Sequence, residues 1–166
     1  MRKTLEGSRE AYVTIEQEAE TLKYYMDLER LRFSNKFDYE IKIDPKIDAE
    51  NMVIPPLLIQ PIVENAILHG IAPKETNGKI EISFEMVENN KIICKVEDDG
   101  VGRGADKKEP RDPKHKSIAM EVTEDRLKMI NKAGRKEMQL DVYDKKDETN
   151  KPTGTRIKFK LPILMA

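Results

Sequence analysis

The order of residues predicts a two-layer α/β sandwich, and two observations carry that expectation. Apolar residues recur at every second position in short segments, Ile80, Ile82, Phe84 and Met86, then Ile92, Cys94 and Val96, as strands with one buried face require. Beside these strands lie three stretches with helical spacing, and no internal repeat or second domain is visible. The chain has 166 residues, 38% of them hydrophobic and 37% charged, which suffices for one core and not two.

The elements follow in order. Thr14 with Gln17 three residues on forms a capping box, and Ile15, Leu22, Tyr25, Met26, Leu28, Glu29 and Phe33 extend an amphipathic helix to about Phe33. A strand over Tyr39 to Ile43 comes next, and Asp44-Pro45 and Pro55-Pro56 punctuate the entry to a second helix, Gln60 to Gly70. Strands Ile80 to Met86 and Ile92 to Val96 form a hairpin through Glu88-Asn89-Asn90. Gly100 to His115 holds Arg103, Lys107, Lys108, Arg111 and Lys114, two prolines and almost no apolar residue, so a long functional loop or lid is expected. A helix from about Val122 to Lys132, a strand at Gln139 to Tyr143, a charged turn at Asp144 to Lys151 and a strand at Thr155 to Leu161 complete the order.

Two motifs carry chemistry. In QPIVENAILHG, Gln60 to Gly70, a helix would place Pro61, Asn65 and His69 in one column beside an apolar stripe of Ile59, Ile62, Val63, Ala66 and Ile67. A polar column flanking a buried stripe is how a helix lines a cleft. An Asn amide oxygen there is a neutral hard ligand, suited to Mg²⁺ already coordinated by phosphates and water, and His69 one turn on can reach a nucleotide. In the second motif, Asp98-Asp99-Gly100-Val101-Gly102, a strand ends in a loop whose glycines can take φ > 0 or admit a ligand close to the backbone. A carboxylate at Asp98 can accept the exocyclic amine of adenine.

Four separated blocks then resemble a known family. Val13 to Glu18 with Tyr24 to Phe33, then Ile54-Pro55-Pro56-Leu57-Leu58, then QPIVENAILHG and the Asp98 motif, and last Gly154-Thr155-Arg156 to Pro162 are similar in kind and order to the ATP-binding domain of the LytS-type sensor histidine kinases. These belong to the GHKL or Bergerat group. The resemblance implies an α+β fold in which a mixed, mostly antiparallel sheet is covered by helices on one face. It implies ATP and Mg²⁺ as cofactors, with Asn65 the metal ligand and Asp98 the adenine anchor. Gly100 and Gly102 would lie under the purine, Thr155 near the adenine pocket, and His69 and Ser117 at the nucleotide.

Departures from the pattern bear on mechanism. Gyrase-type ATPases have a general-base Glu four residues before the Asn, where this chain has Pro61, and many histidine kinases have a basic residue three positions after it, where this chain has Leu68. Without a hydrolytic base, phosphotransfer fits better than ATP hydrolysis. Glu64, about 100° around the helix from Asn65, either serves the acceptor side of the reaction or pairs with a nearby Lys. The family's G-x-G-L-x-N box reads here Ser117-Ile118-Ala119-Met120-Glu121-Val122, although a Ser117 hydroxyl and backbone N–H groups can still meet phosphate.

The family's acceptor histidine lies in a motif resembling N-P-H-F-L-F-N, and the only histidines here, His69 and His115, stand outside any such motif. Residues 1–12 resemble the tail of a dimerisation helix and 13–166 the catalytic domain. The implied partners are ATP, the protein's own dimerisation and phospho-acceptor domain, a response regulator and, in the full-length protein, a second copy. The implied setting is the cytoplasmic part of a bacterial inner-membrane protein. The alternative is a degenerate, non-catalytic GHKL regulatory module that uses the altered Ser117 to Val122 box for partner contacts. A purely structural dimerisation piece would leave the Asn65 and Asp98 motifs unexplained.

Charge is balanced at 30 Lys+Arg against 31 Asp+Glu, which argues against nucleic acid as a partner. The single Cys94 rules out an intramolecular disulfide and reads as packing.

Overall fold

The computed structural model describes residues 12–87, 91–103, 118–134 and 138–165. The two-residue strand β1 (Val13–Thr14) runs straight into α1 (Ile15–Arg32). The capping box predicted there is complete: Gln17 N donates to Thr14 Oγ1 at 3.1 Å, and Thr14 N donates to Gln17 Oε1 at 3.0 Å. The inner face of α1 buries Ile15, Leu22 and Met26 together with two acids, Glu18 and Glu29. Leu28 is not part of that face and is 66% exposed. It stands two residues past Met26, about 200° around the helix.

β2 (Phe37–Ile43) follows, then β3 (Met52–Ile54), α2 (Gln60–Asn65), β4 (Gly78–Val87), β5 (Lys91–Asp98), α3 (Ile118–Gly134), β6 (Gln139–Lys146), β7 (Pro152–Pro162) and β8 (Leu164–Met165). The principal sheet has the order β2-β4-β5-β7-β6. β2 and β4 are parallel, and the other three pairings are antiparallel, giving the mixed, mostly antiparallel sheet expected. The parallel pair needs a crossover, and the segment carrying β3 and α2 supplies it. A second sheet, β1-β3-β8, was not anticipated, because strands of two or three residues show no readable periodicity. The expected turn at 88–90, residues 1–11 and the expected Gly100 to His115 loop from residue 104 on lie outside the described residues.

Register explains where the core ends. Phe84, Cys94, Phe159 and Leu140 are aligned across four strands, and Ile82, Val96, Ile157 and Val142 form the next row. One row further on the partners are Ile80, Asp98, Thr155 and Asp144. The apolar ladder thus gives way to three polar side chains at one end of the sheet, on the face that α1 and α2 cover.

The opposite face is charged. Lys95 pairs with Glu85 at 2.6 Å, and Glu97 with both Arg156 at 2.6 Å and Lys145 at 2.7 Å, around a shallow groove. Arg156 and Lys145 hold the Glu97 carboxyl well down, at about 2. These charges are spent on one another, which solubilises the bare face at little net gain in stability.

Candidate functional site

The predicted stripe is buried: Ile59, Ile62, Val63, Ala66 and Ile67 are each at most 7% exposed. Pro61 sits in the first turn of α2, where its missing N–H costs nothing. The helix does not continue as α, however. After Asn65 it widens into a π-helix over Ala66–Ile71, and Ala72 N donates to Ile67 O at 2.8 Å, five residues back. The α-helical spacing expected for Pro61, Asn65 and His69 thus holds only as far as Asn65, and His69, on the π segment, is exposed. Single π-turns inside helices cluster at functional sites, and this one adjoins both motif residues.

Asn65 is half-buried at the junction of the α and π segments. Glu64 beside it accepts a hydrogen bond from Gln60 Nε2 at 3.3 Å. Its charge also reaches α1: the Tyr25 phenol is pushed up by burial first, then by Glu29 and Glu64. The partner Glu64 has in the structure is a glutamine one turn earlier on its own helix.

The π-helix brings Gly70 against the second motif. Gly70 O accepts Val101 N at 3.0 Å. A Cβ on Gly70 would lie 2.9 Å from Asp98 Oδ1, and one on Gly100 would overlap the Gly70 backbone. Gly154, on β7, has φ +126°, and a Cβ there would overlap the Asp98 carbonyl. Three glycines from three segments thus close around one aspartate. Gly102 has φ +76°, as a loop glycine serving a close turn should.

Asp98 is 5% exposed. Gly100 N donates to its Oδ1 at 2.9 Å, and the Thr155 backbone also hydrogen-bonds it. Burial nevertheless dominates and pushes its carboxyl up from 3.8 to about 6, with Asp99 adding to the rise and Lys145 opposing it. Lys145 Nζ donates to the Asp98 carbonyl at 3.2 Å, lying across Gly154, its strand partner, which has no side chain in the way. A carboxylate offers about four acceptor positions, so Asp98 retains capacity for a further donor. Thr155 is the direct strand partner of Asp98, and Asp144 is the partner of Thr155. Arg103, the first residue past Gly102, reaches Asp144 through two bonds of 2.6 and 2.9 Å and so ties the end of the glycine motif to β6.

Asp98, Gly100, Gly102 and Thr155 are thus brought together, with Asn65 one helical segment away and His69 on the exposed side. Ser117 lies outside the described residues. Sequence reasoning passed over Asp99. Its Oδ1 accepts Lys79 N at 2.7 Å and its Oδ2 meets Lys74 Nζ at 3.1 Å, binding the loop to the start of β4. The doubled acid was the available signal: one carboxylate is buried against Gly70 and Gly100, and its neighbour binds the start of β4.

The residues fit a purine nucleotide and a hard cation. The buried acid with spare acceptor capacity and the glycine-cleared backbone suit a flat heterocycle bearing an amine. An Asn oxygen suits Mg²⁺, which usually takes only one or two protein ligands, so the absence of a cluster of three or more His, Cys, Asp or Glu among the described residues is no obstacle. Among the described residues no helix is long and apolar enough to cross a membrane.

No family model matches the chain. It is 38% identical over 92 residues to YwpD, an uncharacterized protein of Bacillus subtilis, covering 55% of this chain and 32% of that protein. It is 31% identical over 106 residues to the sensor histidine kinase/phosphatase LytS of Staphylococcus aureus, covering 64% of this chain and 18% of LytS. The chain spans a third or less of the length of these curated relatives. Among solved structures, the histidine kinase domain of the Erythrobacter litoralis EL346 blue-light activated kinase superposes with a TM-score of 0.61 at 16% identity, covering 95% of this chain and 70% of that one. The chain is homologous to LytS sensor kinases over about 64% of its length and has the α+β fold of histidine kinase catalytic domains.

Proposed function

We propose that this chain is the Mg²⁺-ATP-binding catalytic domain of a two-component sensor histidine kinase, transferring the γ-phosphate of ATP to a histidine on a separate dimerisation domain. The observation that supports it best is the closure of Gly70, Gly100 and Gly154 around a buried Asp98 that keeps acceptor capacity, beside the helix carrying Asn65. Asp98 would take the adenine amine, which selects adenine over guanine by hydrogen-bond polarity. Asn65 would hold Mg²⁺, which supplies charge neutralisation at the β- and γ-phosphates when bound. Thr155 would line the purine pocket from β7. With Pro61 where a hydrolytic base would stand, the domain holds ATP for an incoming acceptor rather than for water. In the full-length protein the partners would be the acceptor domain, a second copy and a response regulator, on the cytoplasmic side of a membrane. Residues 1–12 would belong to the dimerisation segment and 13–166 to the catalytic domain.

Isothermal calorimetry with ATP, with and without Mg²⁺, tests the reading. Metal-dependent binding at one site is expected, abolished or much reduced in Asp98→Asn. No binding by the unmutated protein would move the assignment to a non-catalytic regulatory module of the same fold.

A further inference from the structure

The pairing of β6 with β7 is irregular at one place. It runs evenly to Lys145 opposite Gly154 and then skips Thr153, so that Lys146 meets Pro152. An extra residue of this kind twists the ladder and re-aims the side chains beside it, and such bulges gather next to functional sites. The side chain beside it on β6 is that of Lys145.

Its ammonium has two partners. It lies 2.7 Å from Glu97 Oε1 and donates to the Asp98 carbonyl at 3.2 Å, with 27% of the side chain exposed. The path to that carbonyl is open because Gly154 carries no side chain, and a Cβ there would overlap the same oxygen. Glu97 is already served, since Arg156 bonds its other oxygen at 2.6 Å. One acid between two cations leaves an excess positive charge, and it stands behind an aspartate that is only 5% exposed. In such surroundings a charge acts more strongly than on the open surface.

The other neighbours of Asp98 do not supply that charge. Its strand partners are Ile80 of β4 and Thr155 of β7, and the π-helix meets it with Gly70, while His69 of that helix is exposed. Asp99 is paired with Lys74, and Asp144, the partner of Thr155, with Arg103. Burial raises the Asp98 carboxyl, and Lys145 opposes the rise.

We infer that Lys145 is a positioning residue for the nucleotide site: from the bare face of the sheet it fixes the backbone that carries Asp98 and holds a positive charge behind the purine acceptor. The inference rests on the nucleotide reading of Asp98. Lys145 does not touch the ligand. It acts by keeping Asp98 in place and ionised at neutral pH.

K145M and K145R test it, with the Asp98 carboxyl followed by carbon NMR in the free protein and with ATP titrations at pH 6 and pH 8.5. K145M should raise the midpoint of the Asp98 titration by about one pH unit. Compared with wild type at the same pH, its ATP affinity should fall about fivefold at pH 6 and stay within about twofold at pH 8.5. K145R keeps the charge and a donor and should restore both readouts. An unmoved Asp98 titration in K145M would overturn the inference, and so would an equal loss of affinity at both pH values, which a merely structural lysine would give. Where K145M does not fold, K145Q, a neutral donor, takes its place: an Asp98 titration moved upward supports the inference and an unmoved one overturns it. Should the unmutated protein bind no nucleotide, the functional reading fails while the carboxyl titration still decides on Lys145.

Discussion

Gly70 and Asp98 meet so closely that a Cβ on the glycine would stand 2.9 Å from the aspartate Oδ1. The π-helix and the end of β5 therefore meet here, and the helix carrying Asn65 is indexed to Asp98 by a residue without a side chain.

Gly70→Ala should displace the Asp98 carboxylate by a few tenths of an ångström and destabilise the fold by ~1–3 kcal/mol. Gly154→Ala should cost at least as much, because its φ of +126° disfavours any side chain and its Cβ would overlap the Asp98 carbonyl. Denaturant unfolding measures both. Nucleotide affinity should fall in each, and wild-type stability with wild-type affinity in Gly70→Ala would show that the contact is slack.

Asp98→Asn should stabilise the domain at pH 7 while weakening its site. The folded protein holds this carboxyl up at about 6 against an ordinary 3.8, so its contribution to stability is full below pH ~4 and is lost as the pH rises through 6. At pH 7 the loss amounts to as much as ~3 kcal/mol. Asn removes that loss and still offers an oxygen to Gly100 N. It also turns a donor toward the purine amine, which should cost ~1–3 kcal/mol of binding. In the unmutated protein, ATP affinity should fall as pH drops below 6 and the acceptor is protonated. Urea titrations from pH 4 to 8 would expose an error of sign: a mutant less stable than wild type at pH 7 would mean that burial does not govern Asp98.

The strands were legible because each buries one face, and alternation such as Ile80, Ile82, Phe84 follows directly from that. Asp98 and its glycines were legible because their partners are near in sequence or belong to a known pattern. The π-turn was not, since Ala66 to Ile71 has the composition of any apolar helix and only the contact with Gly100 and Asp98 demands the wider turn. Asp99 was hidden because its partners, Lys74 and Lys79, are set by the fold and not by spacing.

Asn65→Ala separates metal from purine. Asn65 is the last residue of α2 and Asp98 the last of β5, so the substitution should leave metal-free nucleotide affinity nearly unchanged and remove most of the gain that Mg²⁺ brings. Paired calorimetric titrations show the difference directly. An equal loss with and without metal would assign Asn65 to the nucleotide or to the helix itself.

The domain by itself should not acquire phosphate, because neither His69 nor His115 stands in an acceptor motif. His69 is exposed on the π-helix. Mixed with a fragment that carries an acceptor histidine of the LytS type, and given γ-labelled ATP and Mg²⁺, the domain should label that fragment with acid-labile phosphate. Asn65→Ala and Asp98→Asn should each slow the labelling, the first through metal and the second through purine affinity. The Pro61 position makes a companion expectation: without a base to activate water, phosphate release in the absence of the acceptor should be far slower than transfer. Label on this chain, or rapid release of free phosphate, would contradict the division of labour between donor domain and acceptor. Measured ATP binding with no transfer to any acceptor fragment would favour the regulatory module instead.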